Sequence, residues 1–240
     1  IQKYGVSSHN VHSTGTLILK GGELYLDATE GENETTCCMV SGGEFYMYSG
    51  SITSTSYGLV VEKKGTTATT YGGKISVNGP ENRTNQTVVS REGAYVNLYN
   101  TSITNIGSGH LAQAVAAYDT ISSNNEEYGH LIIYNRSSNY GISGDIVGKV
   151  IATTNTGPGQ AQENVTIYNS GYQQLHWGVW SFNNDQDDIT WSLTTVSSEP
   201  HTFTVSKSAH KNDTGFYAVH IYPVINGSRG SLLAMINLEF

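Results

Sequence analysis

Charged residues are scarce in this chain: Lys, Arg, Asp and Glu make up 13% of its 240 residues. The 12 basic residues are outnumbered by 20 acidic ones, which gives a formal net charge of −8. A nucleic-acid partner requires a basic surface, so this balance argues against one. No apolar run approaches the roughly 20 residues of a membrane-spanning helix, so no membrane span is expected. The first residue is Ile1 rather than Met, and we interpret the chain as a fragment of a longer protein.

Cysteine is also scarce, with only Cys37 and Cys38 in adjacent positions. Neighbouring residues on a strand point to opposite faces, and a disulfide between them would be strained. We therefore expect one cysteine to pack inside as a small apolar residue and the other to face outward. The Cys and His spacings of metal sites are absent, so no metal or other cofactor is predicted.

Glycine and tyrosine are plentiful, with 27 and 16 residues, and they recur in a short period-2 cassette. The cassette occurs six times in the first 170 residues, as GGELYLDA (21–28), GGEFYMYS (42–49), GGKISVNG (72–79), GAYVNLYN (93–100), GHLIIYNR (129–136) and ENVTIYNS (163–170). Self-similarity of this kind predicts stacked β-coils. A second set of strands lies between the cassettes, at 37–40, 58–62, 87–90, 114–118 and 149–153. A third short stretch follows in at least two coils. Polar loops such as 63–71 and 119–128 take up the extra length between cassettes.

Alternation assigns the two faces of each cassette strand. The inward positions are apolar and form one predicted column: Leu24, Leu26, Phe45, Met47, Ile75, Val77, Val96, Leu98, Leu131, Ile133, Val165 and Ile167. The outward positions are rich in tyrosine, and one predicted column reads Asp27, Tyr48, Asn78, Tyr99, Tyr134 and Tyr168. Tyrosine packs well on any exposed sheet, which is one explanation. The other is a binding platform, because tyrosine offers a stiff, amphipathic contact surface.

The candidate ligand-binding residues are therefore the outward tyrosines of the cassettes: Tyr25, Tyr46, Tyr48, Tyr95, Tyr99, Tyr134 and Tyr168. Catalysis is not expected. Glycoside hydrolysis needs a pair of carboxylates on one face, and the aspartates of the coil region, Asp27, Asp119 and Asp145, are scattered.

In the last seventy residues the cassette no longer recurs, and the sequence pattern changes. Strand-like runs occur at VWSF, DITWSLT, HTFTVS, YAVHIYPV and LLAMINLEF, with NGSRG as a turn, and they suggest a small antiparallel sandwich. We interpret the QDDI segment (186–189) as a turn rather than as a calcium site or a catalytic carboxylate pair.

This segment carries an ordered motif: Val179-Trp180-Ser181, Asp185 to Ile189, Trp191, His210 to Gly215, Tyr217, and Val219 to Tyr222. The motif resembles the GBS Bsp-like repeat of surface proteins from Gram-positive bacteria, over about residues 175–240. Ser192 departs from the pattern, which usually has Tyr there. The resemblance implies an extracellular module with no known chemistry. The preceding repeats resemble the parallel β-helices of bacterial adhesins.

The predicted fold is all-β: a right-handed parallel β-helix of about six coils (1–172) followed by a small antiparallel β-sandwich (173–240). The predicted function is that of a non-catalytic, cell-surface or secreted adhesin fragment. It would bind a host surface or secreted glycoprotein, such as an immunoglobulin, a mucin or a matrix protein, through its Tyr-rich face or its loops. Two alternatives stay open: a carbohydrate-binding or carbohydrate-active β-helix, and a passive structural stalk.

Overall fold

The computed structural model describes residues 9–27, 35–82, 84–118, 129–136 and 141–240. The chain divides into two compact units, Ile1–Val150 and Ile151–Phe240. A division into compact units does not test where independently folding domains begin. The boundary predicted between residues 172 and 173 therefore stays a prediction.

The first unit is a parallel β-helix built from three sheets. Sheet A contains β1 (His9–Ser13), β4 (Thr36–Ser41), β7 (Tyr57–Glu62), β10 (Thr84–Arg91), β13 (His110–Tyr118) and β16 (Asp145–Gly148). Sheet B contains β2 (Thr16–Leu19), β5 (Glu44–Met47), β8 (Thr67–Thr70), β11 (Tyr95–Tyr99) and β14 (His130–Tyr134). Sheet C contains β3 (Glu23–Leu26), β6 (Ser51–Ser54), β9 (Gly73–Val77), β12 (Thr101–Asn105) and β15 (Ile142–Ser143). The five coils that begin with β1, β4, β7, β10 and β13 each run through A, B and C in turn, so each has the three strands that the sequence indicated for at least two coils.

The cassettes do not stack in one column, and that part of the prediction is wrong. Those at 42–49, 93–100 and 129–136 lie in sheet B, whereas those at 21–28 and 72–79 lie in sheet C. Both sheets bury alternate residues against the same core, and both are entered through a glycine at a tight corner. A Cβ on Gly43 would lie 2.3 Å from the Gly15 carbonyl oxygen, and one on Gly73 would lie 2.5 Å from that of Gly50. The same local pattern therefore serves two different sides of the coil.

The strands predicted between the cassettes are confirmed in sheet A as β4, β7, β10 and β13. The fifth, at 149–153, is wrong for this sheet, because β16 (Asp145–Gly148) takes the place beside β13. The polar loop predicted at 63–71 is also wrong. It contains β8, whose Thr and Ala residues alternate between the two faces of sheet B. The loop predicted at 119–128 lies outside the described residues.

The strands β4, β7 and β10 of sheet A are buried on both faces, unlike β2 and β5 of sheet B. All six residues of β4 are buried. Met39, Val60, Val89 and Ala116 form an apolar cluster against which Tyr57 and Tyr118 pack. The expectation that one cysteine faces outward is therefore wrong: Cys37 and Cys38 are both 0% exposed and both are free thiols. Burial, reinforced by Cys37, raises the pKa of Cys38.

Both thiols are expected to react with a disulfide reagent at least about 100-fold more slowly in the folded protein than in the denatured protein, because the reaction requires the sheet to open. Reaction with Ellman's reagent, with and without guanidinium chloride, measures this ratio. Rapid reaction of one thiol under native conditions would contradict the burial of both.

The second unit is antiparallel in its paired C-terminal strands. One layer has the order β17 (Val150–Thr154), β18 (Gln162–Tyr168) and β21 (His201–Ser206). The other has β20 (Thr190–Thr195), β19 (Gln174–Ser181) and β22 (Phe216–Ile225) in this order, and both β23 (Ser228–Arg229) and β24 (Ala234–Glu239) pair with β22. The two layers meet where Trp177 of β19 stacks on Phe203 of β21, with ring centroids 4.4 Å apart. The five strands predicted after residue 175 are thus confirmed.

The sixth cassette does not form a sixth coil. Residues 163–170 belong to β18 and the turn after it, and β18 pairs antiparallel with β21 inside the second unit. Its inward residues Val165 and Ile167 are buried, as the alternation predicted. Period-2 alternation marks a half-buried strand, but it does not tell a parallel coil from an antiparallel sandwich.

Candidate functional site

Four tyrosines form a continuous stack along the edge of sheet B. Tyr48, Tyr71, Tyr99 and Tyr134 each lie just after or at the last residue of β5, β8, β11 and β14. Successive ring centroids are 5.2, 5.7 and 4.2 Å apart, and the planes differ by 17°, 15° and 4°. We call this row the Tyr ladder.

The ladder follows from the parallel register. Met47 pairs with Thr70, and Thr70 pairs with Leu98, so the residue after each strand occupies the same level in every coil. Strands in a sheet lie about 4.8 Å apart, which is the distance at which neighbouring rings stack. The stack is open at one end and closed at the other: Tyr48 is 51% exposed, Tyr71 is 46% exposed and Tyr134 is 3% exposed.

A second aromatic pair lies at the opposite edge of the same face. Tyr95 stacks on His130 with centroids 4.2 Å apart and planes within 8°. Burial lowers the pKa of His130, so its ring is neutral at pH 7. Tyr46 lies between these two edges. The nearby Glu44 carboxylate contributes most to raising the pKa of Tyr46, so the Tyr46 hydroxyl stays protonated and can donate a hydrogen bond.

The structure brings five of the seven predicted tyrosines together on sheet B: Tyr46, Tyr48, Tyr95, Tyr99 and Tyr134. Tyr25 lies on sheet C, where it pairs with Thr53, and Tyr168 lies in the second unit. The predicted column that joined Asp27 and Asn78 to Tyr48 is wrong for the same reason, because those residues follow strands of sheet C. Whether any of these tyrosines binds a ligand stays a prediction.

Tyr71 was missed by the sequence analysis. It follows TATT, the sequence of β8. This segment contains so little hydrophobic area that its sequence predicts a loop. A signal was nevertheless present. Ala68 and Thr70 alternate with Thr67 and Thr69, and the tyrosine follows at the same position as in the EFYMY cassette. Both Ala68 and Thr70 are fully buried.

Stacking decides what the ladder offers to a ligand. The faces of its inner rings cover one another, so the row presents ring edges and hydroxyl groups outward. A sugar that stacks on an aromatic side chain needs a free ring face, which this row offers only at its end. Edges and hydroxyls suit the mixed apolar and polar contacts of a protein interface.

The second unit has a buried polar network around Asp188. This residue ends a 3₁₀ helix (Asp185–Asp188), which confirms the turn predicted for QDDI. Its Oδ1 accepts from the Ser181 backbone N–H at 3.2 Å, and its Oδ2 accepts from the Asn184 amide at 3.3 Å. The same Oδ2 lies 3.3 Å from Nδ1 of His210, which is 1% exposed.

Asp213 extends this network. It accepts from Asn184 and, at 2.9 Å, from the Ser181 hydroxyl, and its backbone carbonyl accepts from the Tyr217 hydroxyl at 2.9 Å. Burial by itself would raise the pKa of Asp188, but the hydrogen bonds from Ser181 and Asn184 and the field of His210 lower it overall. The Asp188 carboxylate therefore links its own 3₁₀ helix to the end of β19 at Ser181 and to the segment that holds His210.

Comparison with known proteins places this network in a family. The family model of the GBS Bsp-like repeat matches residues 153–236. The match supports a GBS Bsp-like domain in this part of the chain. Ser181, Asp188, His210 and Tyr217 all belong to the motif noted in the sequence, so the motif encodes a folding framework. The match begins before residue 175, within β17, and it includes β18, the strand that the cassette pattern places in a sixth coil.

The repeat is found in surface proteins of Gram-positive bacteria, which agrees with an extracellular or surface location. No curated protein matches the chain. A solved structure of the cell-surface-expressed, multi-modular chitinase ChiW from Paenibacillus sp. str. FPU-7 is similar at 12% identity and a TM-score of 0.25. The alignment covers 96% of this chain and 24% of that one, so the chain spans about a quarter of its length. This likeness is too weak to indicate a shared fold.

Within the ranges that the structure describes, no helix is long and apolar enough to cross a membrane. Over the same ranges, no group of three or more His, Cys, Asp or Glu side chains is arranged to hold a metal ion.

Proposed function

We propose that this chain is a non-catalytic part of a Gram-positive cell-surface adhesin that binds a host protein through the outer face of sheet B. The observation that supports this most is the exposure of aromatic side chains on one flat, nearly uncharged face. Tyr48, Tyr71 and Tyr95 are 51%, 46% and 39% exposed. Tyrosine is enriched at protein interfaces because it buries a large area at a low cost in side-chain entropy.

The surroundings of these tyrosines favour a protein partner over a glycan. The rings of the Tyr ladder cover one another's faces, and the residues between the two edges are Tyr46, Thr69 and Asn97. Their side chains donate and accept hydrogen bonds in the plane of the face. The described residues of the face carry one carboxylate, Glu44, so a partner meets little charge that must be desolvated.

The size of the face sets a further requirement. The outward residues Ile132 and Tyr134 of β14 are buried, so four strands about 4.8 Å apart and four or five residues long remain, and they span roughly 14 by 16 Å. A standard interface buries about 800 Å² per partner, which is more than this face supplies. Adjoining corner segments therefore contribute to the proposed interface. Host immunoglobulin, mucin and matrix glycoproteins are the target classes to test.

Replacing Tyr48, Tyr71 and Tyr95 together by Ser is expected to weaken host-protein binding at least tenfold, because central aromatic residues dominate interface energies. The test is a pull-down with the 240-residue chain from serum and mucosal secretions, read by mass spectrometry, followed by titration of the purified partner. Tyr134 is unsuitable for this variant because it is buried, and its loss would report on folding.

Tyr25→Ser is the matched control, because Tyr25 is 42% exposed but lies on sheet C. The proposal is supported if the wild type retains one dominant protein, the triple variant does not retain it, and the Tyr25→Ser control does. If no protein is retained, or if the triple variant retains it as well as the wild type, the proposal fails for these sources. Circular dichroism of each variant separates loss of binding from loss of folding.

A further inference from the structure

The second unit has an exposed aromatic face of its own, which the proposed function does not use. It is the outer face of the five-stranded sheet, opposite the layer that holds β18 and β21. Alternation along β20 places Trp191 and Leu193 outward, at 41% and 61% exposure. The register sets Trp191 opposite Gly178, and Gly178 opposite His220.

Trp191 lies against the sheet because Gly178 leaves room for it. A Cβ on Gly178 would lie 2.8 Å from the indole ring, so only glycine admits the ring at this position. His176, two residues earlier on β19, stacks on the indole with centroids 4.8 Å apart. Tyr222 lies beside it at 6.0 Å and is held in turn by His220, whose Nδ1 is 3.3 Å from the Tyr222 hydroxyl.

Arg229 is brought to the same place by a tight hairpin. Asn226 and Gly227 have φ values of 51° and 77°, which is the left-handed conformation of a two-residue type I′ turn. The hairpin sets Arg229 opposite Val224, on the face that carries Tyr222. The guanidinium carbon lies 4.7 Å from the Trp191 ring centroid and 4.8 Å from that of Tyr222. We call Trp191, Tyr222, His176 and Arg229 the Trp–Arg patch.

The charge of the patch is unbalanced. The ion pairs of Arg91 with Glu62 and of His210 with Asp188 do not involve Arg229. Glu239 is on the same face but lies opposite Phe216, six residues from Tyr222 along β22, which is about 20 Å. Arg229 is therefore an exposed cation that is fixed by aromatic rings and lacks a carboxylate partner among the described residues.

We propose that the Trp–Arg patch binds a carboxylated sugar of a glycan. The guanidinium lies close to the two rings and still presents N–H donors to solvent, which is the geometry for pairing a carboxylate through two hydrogen bonds. Trp191 supplies the apolar surface against which the C–H groups of a pyranose pack. The His176 and Tyr222 side chains beside it provide hydrogen bonds to hydroxyls.

Charge selects this occupant over the others. A neutral surface would leave Arg229 unpaired when buried, which costs free energy. A second copy of the chain is disfavoured because each copy carries a net charge of −8. A polyanion such as a nucleic acid needs several cations, and the patch has one. A sugar with one carboxylate fits this patch, because its carboxylate can pair with Arg229 while its ring packs on Trp191.

The test uses the whole chain and measures binding by NMR or calorimetry to 3′-sialyllactose and to a hyaluronan hexasaccharide. Lactose and chitohexaose are the neutral counterparts. We expect at least one acidic probe to bind about tenfold more tightly than its neutral counterpart. Binding of 3′-sialyllactose alone would identify a sialic acid as the ligand, binding of the hyaluronan hexasaccharide alone would identify a uronic acid, and binding of both would show that the patch accepts either. Arg229→Gln and Trp191→Ala are each expected to weaken binding at least about tenfold.

Two controls keep the test specific. Lys207→Gln removes a cation elsewhere in the second unit, and Phe216→Ser removes an exposed ring at the far end of the same face; both should bind as the wild type does. Arg229→Lys keeps the charge without the planar donor pair and should bind with intermediate affinity, which guards against a folding defect in Arg229→Gln. Equal binding of acidic and neutral probes, no binding up to about 10 mM, or wild-type binding by Arg229→Gln would overturn the proposal. The Tyr48/Tyr71/Tyr95 variant should retain sugar binding, so failure here is distinct from failure of the adhesin proposal.

Discussion

Raising the pH from 5 to 8 is expected to lower the free energy of unfolding of the second unit by up to about 3 kcal/mol through one residue, Glu163. This glutamate is 1% exposed, and burial raises its pKa from 4.5 to about 7, against the opposing effect of Thr154 and Thr156. A carboxyl group buried in this way is favoured in its neutral form.

The sign follows from comparing the folded and unfolded states. Below pH 4.5 the carboxyl group is protonated in both states, and the folded state suffers no penalty. Between pH 4.5 and about 7 the unfolded chain releases its proton while the folded chain retains it, so stability falls as the pH rises. Above the folded pKa the loss is complete, since ionisation then occurs in both states.

Glu163→Gln is expected to remove this pH dependence, because the amide has nearly the same shape and does not ionise. Urea unfolding at pH 5, 6, 7 and 8 measures it, and tryptophan fluorescence reports on the second unit alone because Trp177, Trp180 and Trp191 all lie there. Glu81→Gln, an exposed carboxylate of the first unit, is the control. An unchanged slope of stability against pH in Glu163→Gln would show that Glu163 is not responsible.

Asp188→Ala is expected to destabilise the second unit by about 2–4 kcal/mol, whereas Asp187→Ala should change its stability by less than about 0.5 kcal/mol. The two carboxylates are adjacent in sequence, but only Asp188 accepts from Ser181 and Asn184 and lies beside His210. Its removal leaves buried donors unpaired. Asp187 is exposed.

Chemical denaturation followed by tryptophan fluorescence compares these variants directly. Asp188→Asn should lie between the two alanine variants, because the amide oxygen retains one acceptor but the attraction to His210 is lost. Similar stability of Asp187→Ala and Asp188→Ala would contradict the assignment of the network to Asp188. The comparison also tests whether the QDDI motif of the GBS Bsp-like repeat acts through its second aspartate.

The alternation of apolar residues predicted the strands well because each strand buries every second side chain, whichever sheet it joins. Phe45, Met47, Ile75 and Val77 are all fully buried, as predicted. The grouping of strands was predicted poorly. Strands β5 and β9 have nearly the same cassette but lie in sheets B and C, because a corner glycine can precede either side of the coil.

The candidate site shows the same division. Tyrosines at the ends of β5, β11 and β14 could be read from the sequence as a column, because they hold equal positions in similar cassettes. Tyr71 holds the same position, but its signal is weaker, since β8 carries threonine and alanine where the other strands carry large apolar residues. Only the register of β8 between β5 and β11 completes the Tyr ladder.

The sequence by itself determined that the chain is all-β, that its first part is a parallel β-helix, and that its last part contains a GBS Bsp-like repeat. These features depend on local alternation and on a contiguous motif, both of which are written along the chain. The tertiary structure decided which strands are neighbours, that both cysteines are buried, and that Arg229 rests on Trp191 and Tyr222. Those features depend on contacts between residues far apart in sequence, and such contacts are fixed only when register and packing bring the strands together.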